Sequence, residues 1–152
     1  MQKNLLLQEF EDLKRAIILL KESIKKFNPY KTEKKYTPDE LEYYDSLSFR
    51  FEKSVELILT FFKGFELFLY SKVSDTLRDR LLIMQKLNII DAIDFWMEAR
   101  LLRNKIAHTY VPEELKDIYN EIFEKSQVIF KSIDTIEKYL TKIITQNSRN
   151  QK

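Results

Sequence analysis

Turn-making residues set the first limit on what this chain can fold into. Tight turns draw on glycine for positive φ and on proline for fixed φ, yet the 152 residues include one glycine and three prolines. An all-β domain of this length would need many such turns, so the chain must be built from few, long elements, and these are expected to be helices. A hydrophobic share of 44% against 33% charged residues suits amphipathic helices around a core, not a disordered chain.

Apolar spacing gives the outline. From about Asn4 to Phe27, Leu6, Phe10, Leu13, Ile17, Leu20, Ile24 and Phe27 recur at intervals of three and four, one face of a first helix. Asn28-Pro29 stops it, and Tyr30 to Tyr36 reads as a loop. Thr37 as N-cap, Pro38 at the first helical position and Glu40 closing a capping box start a long second helix. Its apolar face runs through Leu41, Tyr44, Leu47, Phe51, Val55, Ile58, Leu59, Phe62, Phe65 and Leu69 to about Lys72. Gly64 inside it reads as a point of close helix packing or a slight bend. Ser74 is the expected cap of a third helix to about Leu87, burying Leu77, Leu81, Leu82 and Met84. A fourth spans about Ala92 to Ala107, with Phe95, Ala99, Leu102 and Ile106 as its core face. Val111-Pro112 interrupts the pattern, and a last helix opens at Pro112-Glu113-Glu114 and runs to about Ile144. Its buried side is expected to hold Leu115, Ile118, Ile122, Val128, Ile129, Ile133, Ile136, Leu140 and Ile143. The expectation is an all-α, up-and-down bundle of about five helices, one domain over residues 1–145 with a frayed polar tail at 146–152.

Several classes of function fall away. With no cysteine there are no disulfides, thiolate metal sites or cysteine nucleophiles. The apolar run Leu5-Leu6-Leu7 is too short for a signal peptide, and no apolar stretch reaches bilayer length, so a cytoplasmic protein without membrane contact is expected. A net charge of +2 leaves any nucleic-acid site to a local patch. Lys21, Lys25, Lys26, Lys31, Lys34 and Lys35 form the densest basic stretch, and it reads first as a solvated helix end and loop. The aromatic residues follow helix faces, as core material does, instead of clustering as a base-stacking platform.

The chain has one histidine, so a general acid or base working near neutral pH falls to His108. Arg103, a permanently charged fork suited to phosphate, lies five residues before it, and Tyr110 two after. At about 100° per residue, Arg103 and His108 stand about 140° apart on an unbroken helix, too far to converge easily on one small group. Arg100, Arg103, Asn104, Ala107 and His108 occupy adjacent angular positions, expected on the side away from Phe95, Leu102 and Ile106. A twofold axis beside that stripe would bring two copies of Arg103 and His108 across one cleft of a homodimer. One imidazole could then take the proton of a ribose 2′-hydroxyl while the other protonates the leaving 5′ oxygen, and the arginines would neutralise the charge building on phosphorus. No metal or other cofactor is required, and no ligand-spaced cluster of His and acidic residues is evident. Against this stands a plainer reading: a histidine favouring the negative end of a helix dipole, and an ordinary surface arginine.

The run Arg103-Asn104-Lys105-Ile106-Ala107-His108-Thr109-Tyr110 resembles the Arg-x4-His-x-Tyr signature of HEPN-domain proteins, specifically the HepT-like ribonuclease toxins. The likeness extends to the Asn after the Arg, to the motif's place near the end of the penultimate long helix, and to a helical chain of similar extent, from about Thr37 to Leu140. Residues 4–36 are less diagnostic of it. The resemblance implies a metal-independent endoribonuclease of a toxin–antitoxin system, its site assembled at a homodimer interface, with RNA, tRNA among the candidates, as substrate. Arg103 and His108 are then catalytic, with Asn104 and Arg100 supporting. Tyr110 corresponds to the acceptor of adenylyl groups added by an MntA-like minimal nucleotidyltransferase antitoxin, which uses ATP and magnesium. Negative charge and bulk beside a phosphate-binding cleft would block RNA. A tyrosine packing the helix end is the plainer reading of Tyr110. Some relatives act instead as non-catalytic substrate-binding subunits of nucleotidyltransferases, which is the alternative function; an inert helical assembly protein leaves the motif unexplained.

Overall fold

The computed structural model describes residues 2–150, with side chains for all of these except 147 and 148. Five helices follow one another: α1 (Gln2–Lys25), α2 (Pro38–Tyr70), α3 (Leu77–Lys86), α4 (Ile93–Ile106) and α5 (Pro112–Asn150). The architecture is the expected all-α up-and-down bundle, with one leg divided between α3 and α4. α1 lies along α2 in the most extensive helix pairing of the fold. It is antiparallel to α2, because the Phe10 ring packs at a tilt on Phe61 while the Tyr43 hydroxyl donates to the Ser23 carbonyl. α5 runs parallel to α2, with Tyr119 against Tyr44 at one end and Tyr139 against Phe65 at the other. Between them, α3 and α4 carry the chain back along α2.

The start of α2 shows how local chemistry places an element. The Thr37 hydroxyl accepts from the Glu40 amide at 3.2 Å and the Glu40 carboxylate accepts from the Thr37 amide at 3.2 Å, the reciprocal capping box. Burial then follows spacing: Leu6, Leu13, Leu20 on α1, Leu47, Phe51, Val55, Ile58 on α2 and Ile122, Ile129 and Ile136 on α5 share one core. Loop 28–36 is tied down by Tyr30, which is buried and stacked on Tyr36, and by the Tyr44 hydroxyl donating to the Asn28 carbonyl at 2.7 Å.

Some expectations are corrected. Thr76, not Ser74, caps α3 by accepting from the Asp79 amide at 3.1 Å. Ser74 is drawn off by the buried Glu66 carboxylate, which accepts from both its amide and its hydroxyl. The core face of α4 is Trp96, Ala99 and Leu102, with Phe95 and Ile106 only half-buried at its margin. Trp96 wins the interior because its ring meets Phe62 edge-on at 5.4 Å. Leu82 and Val128, counted as core by spacing, are exposed, whereas Phe61 is fully buried. α5 continues through Asn150, past the expected end near Ile144, since no glycine or proline follows Pro112 to break it; of the tail expected at 146–152, residues 151 and 152 lie outside the described residues.

Candidate functional site

The end of α4 sets the geometry of the motif. The Lys105 carbonyl accepts from the His108 amide at 3.0 Å and from the Thr109 hydroxyl at 2.9 Å. These bonds tighten the chain into a turn, and the non-helical Val111 before Pro112 completes it. α5 then begins as the Leu115 amide donates to the Val111 carbonyl at 2.9 Å. His108 therefore stands on a turn beyond the last helical residue, and the angle drawn for an unbroken helix does not apply to it.

Arg103 also lies differently from expectation. Four residues after Ala99 and seven after Trp96, it shares their side of α4 and is half-buried on the seam with the core, whereas Arg100, Asn104 and His108 are exposed. The expected stripe is thus split between the edge of the interior and open solvent.

Two clefts along α2 divide the motif between them. The first, of 390 Å³, is walled by Asp45, Ser48, Phe49 and Glu52 of α2, by Thr109 and Tyr110 of the turn, and by Leu115, Ile118 and Tyr119 of α5. The second, of 320 Å³, lies between Glu56, Thr60 and Lys63 of α2, Leu77 and Arg80 of α3, and Arg100 and Arg103 of α4. His108 lines neither cleft. In a single chain, then, Arg103 and Tyr110 face adjoining clefts and the imidazole stands outside both.

Glu52 joins the two clefts electrostatically. Its carboxyl is pushed above the ordinary carboxylate range by burial, against which the Arg103 charge pulls down, while the Glu56 charge adds to the rise. Tyr119, at the back of the first cleft, has its phenol pushed up to about 12 by burial and by the charge of Asp45. Sequence reasoning passed over Asp45, Ser48 and Glu52. Their signal was present, since they recur at intervals of three and four as a polar edge beside the apolar face of α2, but nothing local marks that edge as facing the motif. Among the described residues, no group of three or more His, Asp or Glu side chains is gathered as a metal site would require, and no helix is long and apolar enough to cross a membrane.

What the fold defines is an all-helical five-helix bundle with two clefts beside an Arg-x4-His-x-Tyr turn. Compared with protein-family models, characterised proteins and solved structures, the chain matches none.

Proposed function

We propose that the protein is a metal-independent endoribonuclease whose site is completed across a homodimer, with His108 as acid–base group and Arg103 as phosphate-binding group. The observation that carries this reading is the exposure of the chain's sole imidazole on the turn just beyond Arg103, on a surface with uncovered apolar side chains. Tyr110 is 86% exposed, Phe49 65% and Leu101 59%. Large apolar groups left in water around a polar motif support a protein–protein contact there, and a twofold contact would bring a second His108 and a second Arg103 to the same place. With two imidazoles, one removes the 2′-hydroxyl proton as that oxygen attacks phosphorus, and the other gives a proton to the departing 5′ oxygen. The arginines, with Asn104 and Arg100 in support, stabilise the extra negative charge on the phosphoryl oxygens.

In this reading, which rests on the resemblance to HepT-like HEPN toxins, RNA and in particular tRNA is the substrate. An MntA-like nucleotidyltransferase antitoxin then silences the enzyme by adenylylating Tyr110. The deciding experiment incubates purified, unmodified protein with RNA in EDTA. Cleavage by the wild type, and its loss in His108→Ala with the dimer retained, is the expected result; full activity in that variant overturns the assignment.

A second reading is favoured by the separation of Arg103 from His108 within one chain: a non-catalytic substrate-binding subunit of a nucleotidyltransferase. It expects tight association with such an enzyme and no cleavage by the wild type, so the same assay separates the two.

A further inference from the structure

The cleft between α2, α3 and α4 is a gathering of cations. Lys63, Arg80, Arg100 and Arg103 line it, and Glu56 is the one carboxylate among its walls. Arg80 is fixed from beneath: its Nε donates to the buried Glu66 carboxylate at 3.1 Å and its Nη2 to the Ser74 carbonyl at 3.2 Å. Neither bond uses Nη1, which leaves one arm of a rigidly held guanidinium for another partner. Among the described residues, no ion pair engages Lys63, Arg100 or Arg103. Cations assembled on one concave wall repel one another, and an anion among them replaces that repulsion with attraction. Leu59 and Leu77 lie in the same wall, and the Thr60 hydroxyl adds a neutral donor. Lys63, Arg100 and Arg103, with the spare arm of an Arg80 already paired to Glu66, suit a run of phosphates better than a single small anion.

We propose that this cleft is a phosphate-binding subsite for the phosphodiester backbone of an RNA strand, beside the position where the strand is cut. Lys63, Arg80 and Arg100 hold the flanking phosphates, and Arg103 links them to the reacting one. The choice of RNA rests on the functional reading above; the phosphate chemistry rests on the cleft.

The test uses the full chain carrying His108→Ala, so that RNA stays intact, and a short fluorescent single-stranded RNA whose binding is followed by anisotropy across a salt series. Adding Lys63→Gln is expected to weaken binding about tenfold at low salt and to lower the salt slope by about 0.7, the loss of roughly one phosphate contact on a single strand. Lys86→Gln, exposed and outside the cleft, leaves both unchanged. Unaltered affinity and slope in Lys63→Gln overturn the proposal, with circular dichroism melting confirming that each variant is folded. Inorganic tripolyphosphate should compete with RNA; if Lys63→Gln loses tripolyphosphate binding but keeps RNA binding, the strand assignment falls in favour of a free polyphosphate. A shift from dimer to monomer with RNA affinity intact overturns it in favour of an acidic protein surface. Wild-type protein that binds RNA through Lys63 without cutting it leaves the subsite standing and removes the catalytic reading instead.

Discussion

Gly64 lets α1 approach α2 where Glu9 crosses it: a Cβ built there would overlap the Glu9 carboxylate. Glu9 is poorly served in that place, since its Oε2 is buried with no hydrogen-bond partner. Alanine is the better helix former by about 1 kcal/mol, and the obstacle is the end of a flexible side chain that can swing to solvent. Gly64→Ala is therefore expected to stabilise the fold by about 1 kcal/mol in urea denaturation; a loss of stability would mean that Glu9 is fixed. Burial first, and the Asp12 charge second, hold the Glu9 carboxyl above the ordinary carboxylate range. The folded chain thus binds this proton more tightly than the unfolded one, so the group's contribution is greatest at low pH and declines as pH rises through the raised value. Glu9→Gln lacks that decline and should gain on the wild type as pH rises above the ordinary glutamate value of about 4.3; a constant gap would contradict the sign. Tyr110, at 86% exposure, is open to a modifying enzyme. Intact-mass measurement after incubation with a partner nucleotidyltransferase and ATP should show adenylyl additions that vanish in Tyr110→Phe, and their persistence would move the acceptor elsewhere.

Among the elements, the α2–α3 corner depends on one buried acid. α2 ends as Ser71 adopts a left-handed φ of 58° and its amide donates to the Leu67 carbonyl at 2.9 Å. Glu66 then gathers Ser74 and Arg80, and so sets where α3 begins. Glu66→Ala would leave the Arg80 guanidinium, only 13% exposed, without its counter-charge. A loss of about 3–5 kcal/mol in urea denaturation is expected; a change under about 1 kcal/mol would show that Arg80 escapes to water freely. The contrast with the start of α2 explains what could be read from local pattern. Thr37, Pro38 and Glu40 act within one turn, so their spacing was sufficient. Ser74 looked like an equally good cap, but Glu66, eight residues earlier on another helix, competes for it. On α4, apolar spacing put Phe95 on the core face, but Trp96 takes the interior, where it meets Phe62 of α2.

For the whole molecule, the topology decides how the motif is presented. Because α4 runs back along α2, Arg103 falls beside Glu56 and Lys63 while the following turn carries Tyr110 to Asp45 and Glu52. Completion of the site by a second chain can be tested by mixing wild-type and His108→Ala protomers. A mixed dimer retains one imidazole where the proposed reaction uses two, so cleavage should fall as the square of the wild-type fraction; a fall in simple proportion to that fraction would count against a shared site. By itself, the sequence determined the helical class, the order of five helices, the cap of α2, the stop at Val111-Pro112 and the eight-residue motif, because each depends on residues within a turn or two of one another. Tertiary structure alone decided that Trp96 and not Phe95 joins Ala99 and Leu102 inside α4, that Arg103 sits on the seam, and that Lys63 and Arg80 join Arg100 in one cleft. Burial and Coulomb interaction depend on distance through space, and these residues come together only when three helices pack.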